Sequence, residues 1–300
     1  MRIAHLLLML WLVGNGAFAC ASAVVARDDS SNTITLKQPA KRIVSLSPHI
    51  TELLFAVGAG DRVVAVVEYS DYPPAAKSLP LIGSASSLDI ERIARLQPDL
   101  IVAWGSGNPK RQLELIRRLN IPLFVSEPKT LADIAATLRR IGKLAGTDIE
   151  AERAVSNFDQ RLAELRGRYS GRPNVTVFHE VWNQPLMTIG GKHVINQIIE
   201  LCGGRNVFAA ATLLAPTIDT EAVLRFNPEV IVASGMDDKR PAWLDDWKKW
   251  PTLHATAAGN LDYIPPDLLH RQTPRILDGA QRMCEVLDAA RAKRKLTPQK

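Results

Sequence analysis

The chain has 300 residues, 46% of them hydrophobic and 23% charged, which is enough apolar material for one large or two medium globular cores. A net charge of +6 raises nucleic acid or an anionic membrane as partners, yet lysine and arginine are interleaved with acids almost throughout. The single basic run, RAKRK at 291–295, reads as a solvated, flexible tail over 291–300, so both partners are set aside.

In chain order, Arg2 precedes an apolar run at 6–13, and small-residue exits follow at 17–19 and 21–23. The run falls well short of the ~20 residues a membrane span needs, so residues 1–26 read as a cleaved export signal. Cys20 lies at that boundary. A lipidated N-terminus is its alternative fate, but AFAC lacks the leucine expected three residues before such a cysteine. Cys202 and Cys284 then remain as an even pair for an oxidising compartment; a disulfide is expected, with two buried free thiols as the alternative.

A strand-like run RIVSL (42–46) opens the body, followed by SPHITELLFAVGAG and a second strand, RVVAVVE. Next comes DIERIARLQPDLIVAWG (89–105), and DTEAVLRFNPEVIVASG (219–235) repeats it 130 residues later. In each copy apolar residues recur at helical spacing up to Pro98 or Pro228, and a short continuous apolar run follows. That is a helix-to-strand unit. Upstream of the second copy, GKHVINQIIELCGGRNVF parallels the region after 47: His49 falls opposite His193, Glu52 opposite Asn196 and Gly60 opposite Gly204. The order of strands and helices in each half predicts parallel α/β lobes. Between them, residues 148–166 contain neither Gly nor Pro, and Ile149, Ala154, Val155, Phe158, Leu162 and Leu165 sit on helical spacing. One spacer helix of about twenty residues, ~30 Å long, is expected. The domains are therefore an N-terminal lobe at 40–146, a bridging helix at 147–170 and a C-terminal lobe at 171–290, with a cleft between two Rossmann-like lobes.

Aromatic residues mark where that cleft takes a ligand. Tyr69 and Tyr72 in EYSDYPP follow one strand, and Trp104 closes another; open α/β sheets place ligands just beyond the carboxyl ends of their strands. Flat side chains there suit a large planar ligand, with lobe-core packing as the plain alternative. Trp182 in EVWNQP follows the strand VTVF and offers more aromatic surface.

The export signal, EYSDYPP, ERIARLQPDLIVAW, the bridging helix, GGKHVINQIIELCGGRNVF and the terminal TPRILDGAQRMCEVL together resemble the substrate-binding proteins of ABC importers. The likeness spans roughly residues 40–290 and is to the helix-bridged class that serves cobalamin, haem, siderophores and some metals, within it the cobalamin binders. The resemblance implies that Tyr69 and Trp104 face a corrin, and that Asp267 and Arg271 make polar contacts to its periphery; a plain salt bridge between these two is the local alternative. It implies that Glu91 and Glu221 project from the two lobe tips to dock on the two permease subunits of an importer with its ATPase subunits, whereas an acid in a first helical turn needs no partner. Family members carry further tryptophans where this chain has Ser87 and Ala215, which leaves room for a wider pocket. His270 could ligate cobalt or iron from an axial face, although a lone loop histidine usually has no such role. No P-loop, GxGxxG, GxSxG or HExxH occurs, and the five histidines after the signal lie more than five residues apart. The reading is therefore a monomeric, non-enzymatic periplasmic protein with no catalytic cofactor, which captures cobalamin or another corrinoid for an inner-membrane ABC importer. Haem, a siderophore or a metal ion is the alternative ligand.

Overall fold

The computed structural model describes residues 23–235 and 239–296, and Cys20 and the apolar run at 6–13 lie outside them. Two four-stranded parallel sheets form the frame. In the first lobe the strands lie in the order Val63–Ala65, Ile43–Ser45, Leu100–Trp104, Leu123–Ser126. In the second the order is Gly204–Asn206, Val175–Glu180, Val230–Ala233, Leu261–Tyr263, the same topology. Equivalent strands also share their register: Ile43 pairs with Leu100, and Val177 with Val230.

The repeated unit is reproduced in backbone detail. Asp89 and Asp219 cap the helices Ile90–Arg95 and Thr220–Phe226, accepting from the amides of Arg92 at 2.8 Å and Ala222 at 2.6 Å. Both copies then pass through a left-handed residue, Gln97 at φ 45° and Asn227 at φ 47°, directly before the proline. Proline disfavours helical backbone in the residue before it, so each helix stops there and the strand begins.

Strand residues alternate between two faces. Ile43, Leu100 and Val102 point into the core that contains the helices Pro48–Ala56 and Leu131–Ala145, while Val44, Ile101 and Ala103 point into a separate core with Leu113 and Ile116. The second lobe repeats this, with Val175, Val177, Val230 and Val232 on one side and Phe178, Ile231 and Ala233 on the other. The inner faces of both lobes belong to one continuous core, joined through Ala151, Val155, Phe158, Leu162 and Tyr169 of the helix Asp148–Tyr169. At about 1.5–3 kcal/mol for each large apolar side chain removed from water, that stripe makes the helix part of both lobes.

The chain ends differ from the sequence expectations. Val24–Arg27 pairs with Thr33–Leu36 as an antiparallel hairpin, with Ala26, Ile34 and Leu36 buried in the shared core. The expected export segment, 1–26, therefore overlaps a packed strand, and the first lobe begins well before residue 40. Four-residue strands separated by DDSSN are too short to register as an element beside an apolar signal. At the other end, RAKRK is no frayed tail: it continues the helix Ile276–Leu296. Arg291 is buried and donates to the carbonyls of Pro173 and Cys202, each at 2.7 Å, and Lys293 reaches Asn260 Oδ1 at 2.7 Å. Arg294 pairs with Glu229. Charge density read along the chain does not reveal acceptors that come from carbonyls a hundred residues away. Cys202 and Cys284, both fully buried, form a disulfide inside the second lobe.

Candidate functional site

In each lobe the two central strands send their crossovers to opposite faces. The first-lobe strand Ile43–Ser45 leads into Pro48–Ala56 on the inner face, and Leu100–Trp104 leads into Lys110–Arg117 on the outer one. Diverging connections leave a crevice beyond the carboxyl ends of these two strands. Trp104 stands at this crevice, half-buried, with its ring edge-to-face against His49 at 5.2 Å. The Asn108 side chain locks the turn, accepting from the Trp104 amide at 2.7 Å and donating to the Leu46 carbonyl at 2.9 Å. Burial, and then the positive charge of Arg271, push His49 down to about 3, so its imidazole is neutral. In the same lobe Tyr69 is 78% exposed and held at φ 63°. An aromatic residue both exposed and left-handed is costly for the fold alone, and such strain concentrates at functional sites.

The matching crevice of the second lobe lies beyond Val175–Glu180 and Val230–Ala233. Ser234 Oγ sits there between two imidazoles, His179 Nε2 at 2.9 Å and His270 Nε2 at 2.7 Å. Burial pushes His179 well down and His270 to about 4. His270 Nε2 is thus engaged by a serine, and among the described residues no group of three His, Cys, Asp or Glu side chains could hold an ion. Trp182 pairs with Trp243, ring centres 6.4 Å apart, and its indole N–H is fixed on the Gln184 carbonyl at 2.8 Å.

Below these indoles Glu180 is buried and accepts from Trp247 Nε1 at 2.8 Å. Burial raises its carboxyl to about 7, against the lowering effect of the Trp247 bond and with a small addition from Asp246. Because the folded value lies above the ordinary one, the stability that the proton supplies is complete below about 4.5 and is lost as pH rises through about 7. Glu180→Gln keeps an acceptor for Trp247 and removes the titration. Relative to wild type, the variant should gain up to ~3 kcal/mol between pH 4.5 and 8 in urea unfolding; a difference that stays flat with pH would contradict this assignment.

Between the lobes the segment after Pro266 meets the first lobe through ions. Glu52, with a side chain only 2% exposed, accepts from Arg271 at 2.8 Å and from Arg275 at 2.7 and 2.9 Å. Arg271 also reaches Asp71 and Asp267, each at 2.9 Å, and the Tyr69 carbonyl at 3.3 Å. Arg275 lies 3.8 Å over the ring of Tyr72. Burial alone would lower the Arg271 guanidinium, but the carboxylates of Glu52, Asp71 and Asp267 outweigh it and hold it charged.

The structure thus brings Tyr69, Asp267 and Arg271 into one cluster, with Trp104 attached through His49. Trp182 stands with Trp243 instead. The Asp267–Arg271 bridge expected from their spacing is present, but Arg271 also spans the lobes. Sequence reasoning missed Glu52, Asp71 and Arg275. One signal was readable: Glu52 is an acid among the apolar residues of ITELLF, and a buried carboxylate requires a partner. Glu91 and Glu221 are both exposed, Glu91 with only a loose contact to Arg95 at 3.8 Å. Their helices run back against the strands that follow, so both acids lie at the crevice ends of their lobes. A groove of about 370 Å³ lies along the bridging helix, lined by Phe55, Arg153, Phe158 and Pro274 and by none of Tyr69, Trp104, Trp182, Asp267 or Arg271.

The periplasmic binding protein family model matches residues 43–268, and the chain belongs to that family. It is 36% identical over 253 residues to the vitamin B12-binding protein of Vibrio cholerae, covering 84% of this chain and 91% of that one. A Yersinia pestis vitamin B12-binding protein is 37% identical over 252 residues, 83% and 86% of the two chains. The crystal structure of the Vibrio cholerae periplasmic vitamin B12-binding protein superposes with a TM-score of 0.76 at 35% identity, over 84% of this chain and 98% of that one. The periplasmic haem-binding protein of Roseiflexus gives 0.72 at 25% identity, over 84% and 99%. Among the described residues no helix is long and apolar enough to cross a membrane.

Proposed function

We propose that this chain captures cobalamin or a related corrinoid in the periplasm and delivers it to an inner-membrane ABC importer without chemically changing it. The observation that carries the reading is aromatic side chains beyond the strand ends of each lobe, Tyr69 and Trp104 in the first and Trp182 in the second, on a chain similar to vitamin B12-binding proteins over more than four fifths of its length. Flat indole and phenol faces supply contact area to a macrocycle at low entropic cost. Asp267 and Arg271, in the ion cluster between the lobes, can pair with amide groups at its edge. One continuous core through both lobes and the bridging helix limits hinge motion, so capture needs little closure.

Docking follows from the pseudo-symmetry. Two capped helices present Glu91 and Glu221 at equivalent places, and a binder with two similar lobes matches a permease dimer whose axis passes between them. The charge-removing pair Glu91→Ala with Glu221→Ala should abolish the permease complex and leave corrinoid affinity unchanged.

The test of the ligand is a calorimetric titration of the oxidised protein with cyanocobalamin, with dicyanocobinamide and haemin alongside. One-to-one binding of cyanocobalamin, weakened about 10- to 30-fold by Trp104→Ala, is expected. Binding of haemin alone would overturn the corrinoid assignment. For iron to be bound through His270 Nε2, that nitrogen would have to give up its bond to Ser234.

A further inference from the structure

The second crevice contains an aromatic residue that neither the repeat nor the spacing pointed to. We infer that Trp243 and Trp182 together form the second lobe's stacking wall for a flat macrocycle, with Glu180 as the residue that positions it. This rests on the corrinoid reading above and names the surface opposite Trp104.

Place comes first. Trp182 lies two residues beyond the end of Val175–Glu180, and Trp243 lies over Gly235, two residues beyond Val230–Ala233. A Cβ on Gly235 would stand 3.3 Å from Trp243 Cζ2, closer than such contacts normally run, so the bare backbone lets the indole settle on the strand end. Both tryptophans therefore occupy the point where the crossovers diverge, which is where sheets of this type bind ligands.

The rings meet at 71°, edge against face, so the pair does not cover itself as two stacked faces would. Trp243 and Trp182 are half-buried, whereas Trp247, four residues on, is 4% exposed and sealed in the lobe core. The segment Ala242–Lys249 thus places one indole inside and one at the crevice. The buried indole is the anchor: Trp247 Nε1 donates to Glu180, and the Glu180 main chain leads directly to Trp182. One carboxyl group so fixes the spacing of the two half-buried rings.

The experiment has two independent readouts on the full-length oxidised protein. Hydroxyl-radical footprinting with and without saturating cyanocobalamin should show at least about threefold protection of Trp182 and Trp243, with none at the exposed Phe226 or Ile149. By calorimetry, Trp243→Ala should weaken cyanocobalamin about tenfold while Trp243→Phe retains most of the affinity, with thermal unfolding of both variants near wild type. Unchanged affinity in Trp243→Ala, or unprotected Trp243 in a wild-type protein that binds, overturns the wall and leaves the corrinoid reading in place. A wild-type protein that binds no corrinoid overturns both. If Trp243→Ala does not fold, the wild-type footprint alone decides.

Discussion

Glu52→Ala should lower the unfolding free energy by about 3 kcal/mol, the low end of the range for removing one partner of a buried ion pair. Glu52 is the hub of the inter-lobe cluster, its two oxygens serving both Arg271 and Arg275. The Arg271 and Arg275 side chains are only 13% and 20% exposed, so water can replace the lost carboxylate in part. Arg271 keeps Asp71 and Asp267, and Arg275 keeps its place over Tyr72, which is why the upper end of the range is not expected. The second part of the prediction separates charge from packing. Glu52→Ala combined with Arg275→Met should be more stable than Glu52→Ala alone, since it removes a buried cation together with its partner. Urea unfolding of the three proteins measures both effects. A loss below about 1 kcal/mol for Glu52→Ala would mean that the cluster behaves as an exposed pair and does not fasten the lobes.

That cluster also marks the limit of what could be read from the sequence. The repeated unit was legible because a capping acid, a helical period, a proline and an apolar run are all local, and local signals repeat when a lobe repeats. The bridging helix was legible for the same reason. Glu52 and Arg275 lie 223 residues apart, and no periodicity connects them. The pseudo-symmetry even hides the link: Asn196, opposite Glu52 in the repeat, bonds its own neighbour Glu200. A site assembled from one lobe's helix and the other lobe's loop is visible only once both are folded. Trp243 escaped notice similarly, because PAWLDDWKKW contains three tryptophans and only packing separates the crevice-facing indole from the buried one.

The double variant Cys202→Ser with Cys284→Ser should lose about 4–5 kcal/mol, because the cross-link spans a separation of 82 residues and restricts that loop in the unfolded chain. Nothing equivalent acts in the first lobe, where the repeat places Gly58 opposite Cys202. The bond ties the end of the helix Val194–Leu201 to the C-terminal helix Ile276–Leu296, which also reaches the bridging helix through Arg161 and Asp278 at 2.5 Å. The native contacts around it do not depend on the sulfurs: Arg291 still donates to the carbonyls of Cys202 and Gly203, and the apolar residues of the helix stay in the shared core. The loss should therefore appear as a shift of one cooperative transition rather than as early detachment of the second lobe. Denaturant unfolding followed by both tryptophan fluorescence and circular dichroism decides this, since most tryptophans lie in that lobe. Coincident curves displaced to lower denaturant support one unit braced by the disulfide. If the two probes separate, the cross-link, and not the common core, holds the second lobe to the rest; if the shift is under about 1 kcal/mol, the common core alone holds the C-terminal helix in place.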